Sequence, residues 1–215
     1  ALWRVLEDAR RGLPVREDHW LWILHDDSLP EPGALEALVG AVRRNSRVGV
    51  VGPKLVRLDD PRLLVGVGHH LTVGGRAADT RQAALVDQGQ LDLRQDVLGV
   101  PLVGSLVRSD LLEDAGGVDP AFGDDGVAGL DLCWRSHLLG RRVVVAPDAV
   151  VQQGETGPGL VDPRRTRIRQ RQLALARGSA WVAPWRALGI AVTSTLAALL
   201  LLLVKRPREA GDEWA

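Results

Sequence analysis

Trp20-Leu21-Trp22-Ile23-Leu24 is an apolar run of five residues that stops abruptly at His25-Asp26-Asp27-Ser28. An apolar run with no polar alternation predicts a buried strand, and such strands belong to sheets covered by helices. The rest of the first 158 residues agrees with that. Helical spacing runs over residues 2–11. Residues 32–44 predict an amphipathic helix with proline near its start, and Val48-Gly49-Val50-Val51-Gly52 a second strand. Strand-like segments follow at 63–67 and 97–107, then a helix at 109–115, the turn Gly116-Gly117, a helix around 130–139 and a strand at 142–146. Short apolar runs alternating with helical patterns predict an α/β fold on a mostly parallel sheet. No internal repeat is visible.

A length of 215 residues suits one domain and is too short for two large ones. The 27 basic and 27 acidic side chains balance, which argues against a nucleic-acid partner. A single cysteine excludes an internal disulfide framework and a cysteine-rich zinc site. With one Phe and no Tyr or Met, the core must be built mainly from Val, Leu, Ile and Ala. The absence of Met, and a helical pattern that opens directly at Ala1, suggest an internal piece with something missing upstream.

Residues 187–204 contain no charge and end in five leucines and a valine. As a helix, eighteen residues span about 27 Å, enough to cross a bilayer. Trp181, Trp185, Arg186, Lys205, Arg206 and Arg208 bracket the run as interfacial anchors do. The alternative is a buried helix of a soluble protein. Upstream, Arg164-Arg165-Thr166-Arg167-Ile168-Arg169-Gln170-Arg171 suits either anionic headgroups or a solvated linker helix. The expected organisation is a catalytic domain over 1–158, a basic linker or interfacial helix over 159–186, a transmembrane helix over 187–204 and a polar tail over 205–215.

Two adjacent acids just past a buried strand repel each other, so they persist best where a cation neutralises them. A hard divalent ion held by one or two carboxylates, with open positions for phosphate oxygens, meets that need. The alternative is that Asp26 and Asp27 only begin a turn before Pro30.

Trp22-Ile23-Leu24-His25-Asp26-Asp27-Ser28, Pro30-Glu31-Pro32-Gly33-Ala34-Leu35 and Gly49-Val50-Val51-Gly52-Pro53-Lys54 resemble the middle of a family 2 glycosyltransferase. Gly116-Gly117-Val118-Asp119-Pro120, Leu130-Asp131-Leu132-Cys133-Trp134-Arg135 and residues 140–147 keep that family's order and spacing. The resemblance covers about residues 1–158 and is strongest to the actinobacterial, membrane-attached type. It implies the GT-A fold: a Rossmann-like nucleotide-diphospho-sugar transferase with a mixed sheet flanked by helices, here incomplete at the N-terminus and followed by a hydrophobic helix.

The resemblance also implies roles. The loop after the first strand corresponds to the DxD-type motif, which binds Mg2+ or Mn2+ and the donor diphosphate. Asp27 takes the metal-facing position, His25 stands where the family has its first acid, and Asp26 lies between. Imidazole suits Mn2+ better than Mg2+. Gln153 stands where the family commonly has a metal-ligating histidine. The catalytic base of the family precedes Asp131 by two residues, usually as the second acid of a pair, but Ala128 and Gly129 occupy those positions. Asp124 and Asp125 are the nearest acids, and a loop over 126–129 would let Asp125 serve as the base. Asp131 and Arg135 lie four apart and pair on a helix, fixing it or contacting acceptor, while Trp134 stacks on a sugar or packs in the core. Cys133 reads as a buried apolar residue, and His69, His70 and His137 carry no assigned chemistry.

The expected function is metal-dependent, inverting transfer of a sugar from a nucleotide-sugar donor to a cell-envelope glycan or lipid-linked acceptor. The expected location is the cell membrane, with the catalytic domain on the cytoplasmic side. Without the opening nucleotide-binding strand and helix, this piece is expected to bind nucleotide sugar weakly or not at all. The alternatives are a catalytically degenerate binding or scaffold module and a nucleotide-sugar hydrolase or pyrophosphorylase.

Overall fold

The computed structural model describes residues 8, 11–12, 18–69, 85–92, 96–122, 125–154, 163–177 and 183–203. The chain forms two compact units, one from residues 1–70 and 78–160, the other from 71–77 and 161–215. The helix expected at 2–11 lies mostly outside the described residues.

In the first unit β1 (Trp20–Trp22), β2 (Ser28–Pro30), β3 (Val48–Arg57), β4 (Leu64–Gly66), β5 (Leu106–Arg108) and β6 (Arg142–Gln153) form one sheet. Its order is β1-β5-β3-β6-β2, with β4 on β3. Three helices join them: α1 (Ala34–Arg43), α2 (Ser109–Asp114) and α3 (Asp125–Leu138). The sheet is mixed, as the family resemblance implies, and not mostly parallel as the alternation suggests: only β3 and β6 run parallel. Parallel neighbours need a long crossover, and the β3-to-β6 connection supplies one that carries α2 and α3.

β3 is buried at nine of its ten positions, as a strand with neighbours on both edges should be. At Gly49 a Cβ would meet Leu111 Cδ2 and Ser136 Oγ at 2.9 Å, so the missing side chain lets α2 and α3 close on the strand. α1 buries Ala34, Leu38 and Ala41, spaced by four and three as a single helix face requires. That face packs in one cluster with Val48, Val51, Leu106, Val144 and Ala146.

Four boundaries differ from expectation. β1 is three residues long, half-buried and at the end of the strand order, so Trp20 to Leu24 is not a central buried strand. Residues 97–105 are loop, buried because they pass through the core, and only the end of that apolar run forms β5. α3 begins five residues early, and β6 continues past Pro147 and Asp148 to Gln153 through a register shift.

The second unit holds α4 (Pro163–Ala176) and α5 (Ala183–Leu203). Among the described residues no helix is long and apolar enough to cross a membrane. Midway along α5, Ser194 is buried and accepts a hydrogen bond from Arg171 Nη2 at 3.0 Å.

Candidate functional site

His25 to Ser28 form a hydrogen-bonded turn. The Ser28 N–H and hydroxyl both donate to the His25 carbonyl, at 3.1 and 2.7 Å, and the His25 N–H donates to Ser28 Oγ at 2.9 Å. Asp26 and Asp27 are therefore the central turn residues, Asp26 exposed and Asp27 half-buried. The turn leads directly into β2, which pairs Ser28 with Gln153 and Leu29 with Gln152. Beyond that ladder the Gly154 N–H donates to the Asp27 carbonyl at 2.9 Å. Gln153 is buried. Gly154 has no side chain to intrude: a Cβ there would lie 3.3 Å from Asp27 Cβ and 3.7 Å from its Oδ2. Asp27 and Gln153, 126 positions apart in sequence, are thus neighbours at the carboxyl end of β6.

α3 supplies the other predicted residues. Asp131 is fully buried and pairs with Arg135, Nε to Oδ2 at 2.8 Å and Nη2 to Oδ2 at 2.6 Å. Arg135 Nη1 donates to the carbonyls of Ala115 and Gly117, so this ion pair fastens α3 to the turn that ends α2. Trp134 is half-buried. Burial pushes the Cys133 thiol up to about 12, which leaves it inert.

Asp124 lies outside the described residues. Asp125 is the first residue of α3, so residues 126–129 are helix and not the expected displacing loop. Ala128 is buried, and a Cβ at Gly129 would sit 2.8 Å from Leu102 Cγ. The positions matching the family's acid pair are closed by packing.

A further element was not legible in the sequence. The 101–105 loop holds its Gly104 N–H on the Ile23 carbonyl at 2.7 Å and receives the Ile23 N–H on Ser105 and the Trp22 Nε1 proton on Gly104. Its Leu102 touches Gly129. The loop therefore joins the strand that delivers the His25 turn to the first turns of α3. Only Pro101, Gly104 and Ser105, around Leu102 and Val103, signalled a loop.

Other features lie elsewhere. A groove of about 870 Å³ between Trp22, Glu31, Glu36 and Arg43 contains none of the predicted site residues. His137 Nε2 meets the Val97 and Leu98 carbonyls at 3.0 and 3.2 Å, and buried His69 exchanges backbone hydrogen bonds with Gly99. Both histidines hold loops.

The family model for glycosyltransferase like family 2 matches residues 3–173. The chain belongs to that family. Its mixed sheet with flanking helices is the family's GT-A architecture, and glycosyl transfer is the activity the family carries. No curated protein matches the chain. Among solved structures, the crystal structure of GalNAc-T7 with UDP, GalNAc and Mn2+ is similar at 10% identity and a TM-score of 0.48, covering 71% of this chain and 31% of that one. The chain thus spans less than a third of that protein's length.

Among the described residues no three His, Cys, Asp or Glu side chains converge as a metal cage. A hard cation that also takes phosphate oxygens needs only one or two protein carboxylates. Asp27 offers one such carboxylate; the register sets Ser28, not Asp27, directly opposite Gln153, and Gly154 beside Asp27.

Proposed function

We propose that the protein transfers a sugar from a nucleotide-diphosphate donor to a cell-envelope glycan or lipid-linked acceptor, with inversion and with Mg2+ or Mn2+. Family membership supports sugar transfer in general. The observation that carries the rest is the β2–β6 pairing, which sets Asp27 beside Gln153 at the carboxyl end of a strand, where α/β sheets bind their ligands. In this reading Asp27 and Gln153, with His25 and Asp26 in the same turn, would hold the metal and through it the diphosphate. A divalent ion held there would supply charge neutralisation for the leaving diphosphate.

The remaining steps belong to side chains of this protein. The acceptor oxygen bonds to the anomeric carbon as the bond to the diphosphate oxygen breaks. The bonding electrons leave with the diphosphate, and the acceptor proton passes to a carboxylate. Asp125 is that carboxylate in our reading. It precedes Ala128 and Gly129 by three and four residues on α3, hence on the same helix face and about 4.5–6 Å along the axis. Asp131 and Arg135 hold α3 in place, and Trp134 is the acceptor-side candidate.

The test compares D27N and D125N for donor binding and for transfer. D27N is expected to lose metal-dependent donor binding. D125N is expected to keep it while transfer falls by about 10²- to 10⁴-fold, the usual worth of a general base. Unchanged transfer in D125N removes Asp125 from the mechanism. The closed packing at Ala128 and Gly129 favours a second reading, a degenerate donor-binding module, which predicts donor binding without transfer in the unaltered protein.

A further inference from the structure

Trp22 is the last residue of β1, three positions before His25. Its backbone is set by the ladder with β5, where it stands opposite Leu106. Its ring is half-buried against the cluster that α1 covers, and burial of that area holds it in place. The indole N–H makes a separate connection. Nε1 donates to the Gly104 carbonyl at 3.0 Å, across 82 positions of sequence.

Gly104 belongs to a loop braced by its own bonds. The Ser105 hydroxyl donates to the Pro101 carbonyl at 2.6 Å, and the Ser105 N–H to the Leu102 carbonyl at 3.0 Å. Val103 packs with Leu55 and Val151. Leu102 packs against α3, where a Cβ at Gly129 would come within 2.8 Å of its Cγ. Glycine at a φ of 75° leaves the 104 peptide free to turn, and the indole N–H fixes where its carbonyl points.

These contacts form a series. β1 runs on into the turn that carries Asp27, the indole holds Gly104, Leu102 lies two residues before Gly104, and Gly129 follows Asp125 by four residues on α3. Coupling between parts of a protein is carried by packed and hydrogen-bonded groups of this kind. The two halves of the candidate site are otherwise secured separately. Ser28 closes the His25 turn and Gly154 pins it, while the Asp131–Arg135 pair fastens α3 to the end of α2. Neither of those sets reaches from one half to the other.

We propose that Trp22 is a positioning residue for sugar transfer: its indole N–H, acting through Gly104 and Leu102, sets the first turns of α3 against the turn that carries Asp27. The catalytic consequence rests on the sugar-transfer reading, in which Asp125 and Trp134 serve the acceptor from α3. The mechanical coupling does not.

Two readouts on the full chain test it. W22F keeps an aromatic ring in the core and deletes the N–H. Native-state hydrogen exchange at Gly129 to Leu132, whose amides close the first turns of α3, is expected to quicken about tenfold, while the β3–β6 ladder keeps the parent's rates. In transfer assays kcat is expected to fall about ten- to a hundredfold with the donor KM within about twofold of the parent, because the displacement falls on the acceptor side. L102V, at the far end of the series, should show the same split. W22F/L102V should fall no further than the worse single variant, whereas independent losses multiply. Four results overturn the proposal: unchanged exchange in α3, exchange that quickens everywhere as general loosening gives, losses that multiply, or a raised acceptor KM at unchanged kcat, which marks direct contact of the ring with substrate. Absence of transfer in the parent overturns the sugar-transfer reading and the catalytic consequence with it, and the exchange measurement still decides the coupling.

Discussion

Asp131 makes the strongest single-residue case, because its carboxylate has no exposed surface and its charge is met by Arg135. Removing one partner of such a pair costs about 3–5 kcal/mol, whereas replacing both with apolar side chains of similar volume is often neutral. D131A is therefore expected to lose about 3–5 kcal/mol in urea unfolding, and D131L/R135M to recover most of it. If the double variant is no better than D131A, the pair is not an isolated ion pair and the Ala115 and Gly117 carbonyls carry more of the load. Gly154 works in the opposite sense, by leaving space. A Cβ there would stand 3.3 Å from Asp27 Cβ and 3.4 Å from its carbonyl oxygen, closer than most real contacts, so Asp27 must shift. G154A is expected to change stability by less than about 1 kcal/mol while transfer falls about tenfold, because small misplacements at a reacting centre are expensive. Parallel melting and transfer assays separate the two effects.

Elements were legible in proportion to how far local pattern decided them. α1 and the start of β3 followed their periodicity, since one face or both faces of each are covered by packing that the pattern reflects. The 97–105 segment did not. It is as apolar as a strand, but it is buried by running through the core on isolated backbone bonds to His69 and Val143, and burial without a continuous ladder leaves no periodic trace. α3 was read late because Gly126 and Gly129 mask its first turns; Gly129 is there for contact with Leu102 and not for flexibility. The two halves of the candidate site differ in the same way. The acids of the His25 turn are contiguous in sequence, but the approach of Asp27 to the end of β6 is made by the three-residue β2 pairing there, which no local signal predicts. The 101–105 loop is where this reading is most exposed to test. Gly104 has a positive φ of 75°, and a Cβ there would meet Pro53 Cγ at 2.8 Å and Val151 Cγ2 at 2.9 Å. Backbone strain and overpacking together predict a loss of about 3 kcal/mol for G104A. A loss below about 1 kcal/mol in denaturant unfolding would mean that the loop yields easily and does not tie β1 to α3.

In the first unit the sheet divides stability and chemistry between its ends. The candidate site lies where β6 finishes, while the opposite end, where β3 and β6 begin, carries a buried ionic network. Arg108 grips Asp110 through Nε at 2.6 Å and Nη2 at 2.5 Å and donates to the Ser46 carbonyl, and Arg141 adds a bond to Asp110 at 3.0 Å. Burial alone would raise the Asp110 carboxyl, but the Arg108 hydrogen bonds and charge, the Leu111 N–H and Arg141 outweigh it and hold the group below its ordinary value. Lys54 shows the same balance with the opposite sign. Burial lowers its ammonium, and the hydrogen bonds and charges of Asp92 and Asp87 more than restore it, so it lies above its ordinary value. As pH falls, the unfolded chain takes up a proton at Asp110 before the native protein does. The stabilisation is therefore present above about pH 4 and lost as pH drops through the native value. For Lys54 it is present below about pH 10.4 and lost as pH rises through the native value. D110N leaves the buried Arg108 guanidinium without its counter-charge and is expected to cost about 3–5 kcal/mol at neutral pH. That deficit should shrink below about pH 4, because a protonated Asp110 is as neutral as asparagine. For K54M the deficit should shrink instead above about pH 10.4. Unfolding measured across both limbs decides the matter: a D110N deficit that stays constant into acid means Asp110 acts by shape and not by charge, and the ionic network does not anchor that end of the sheet.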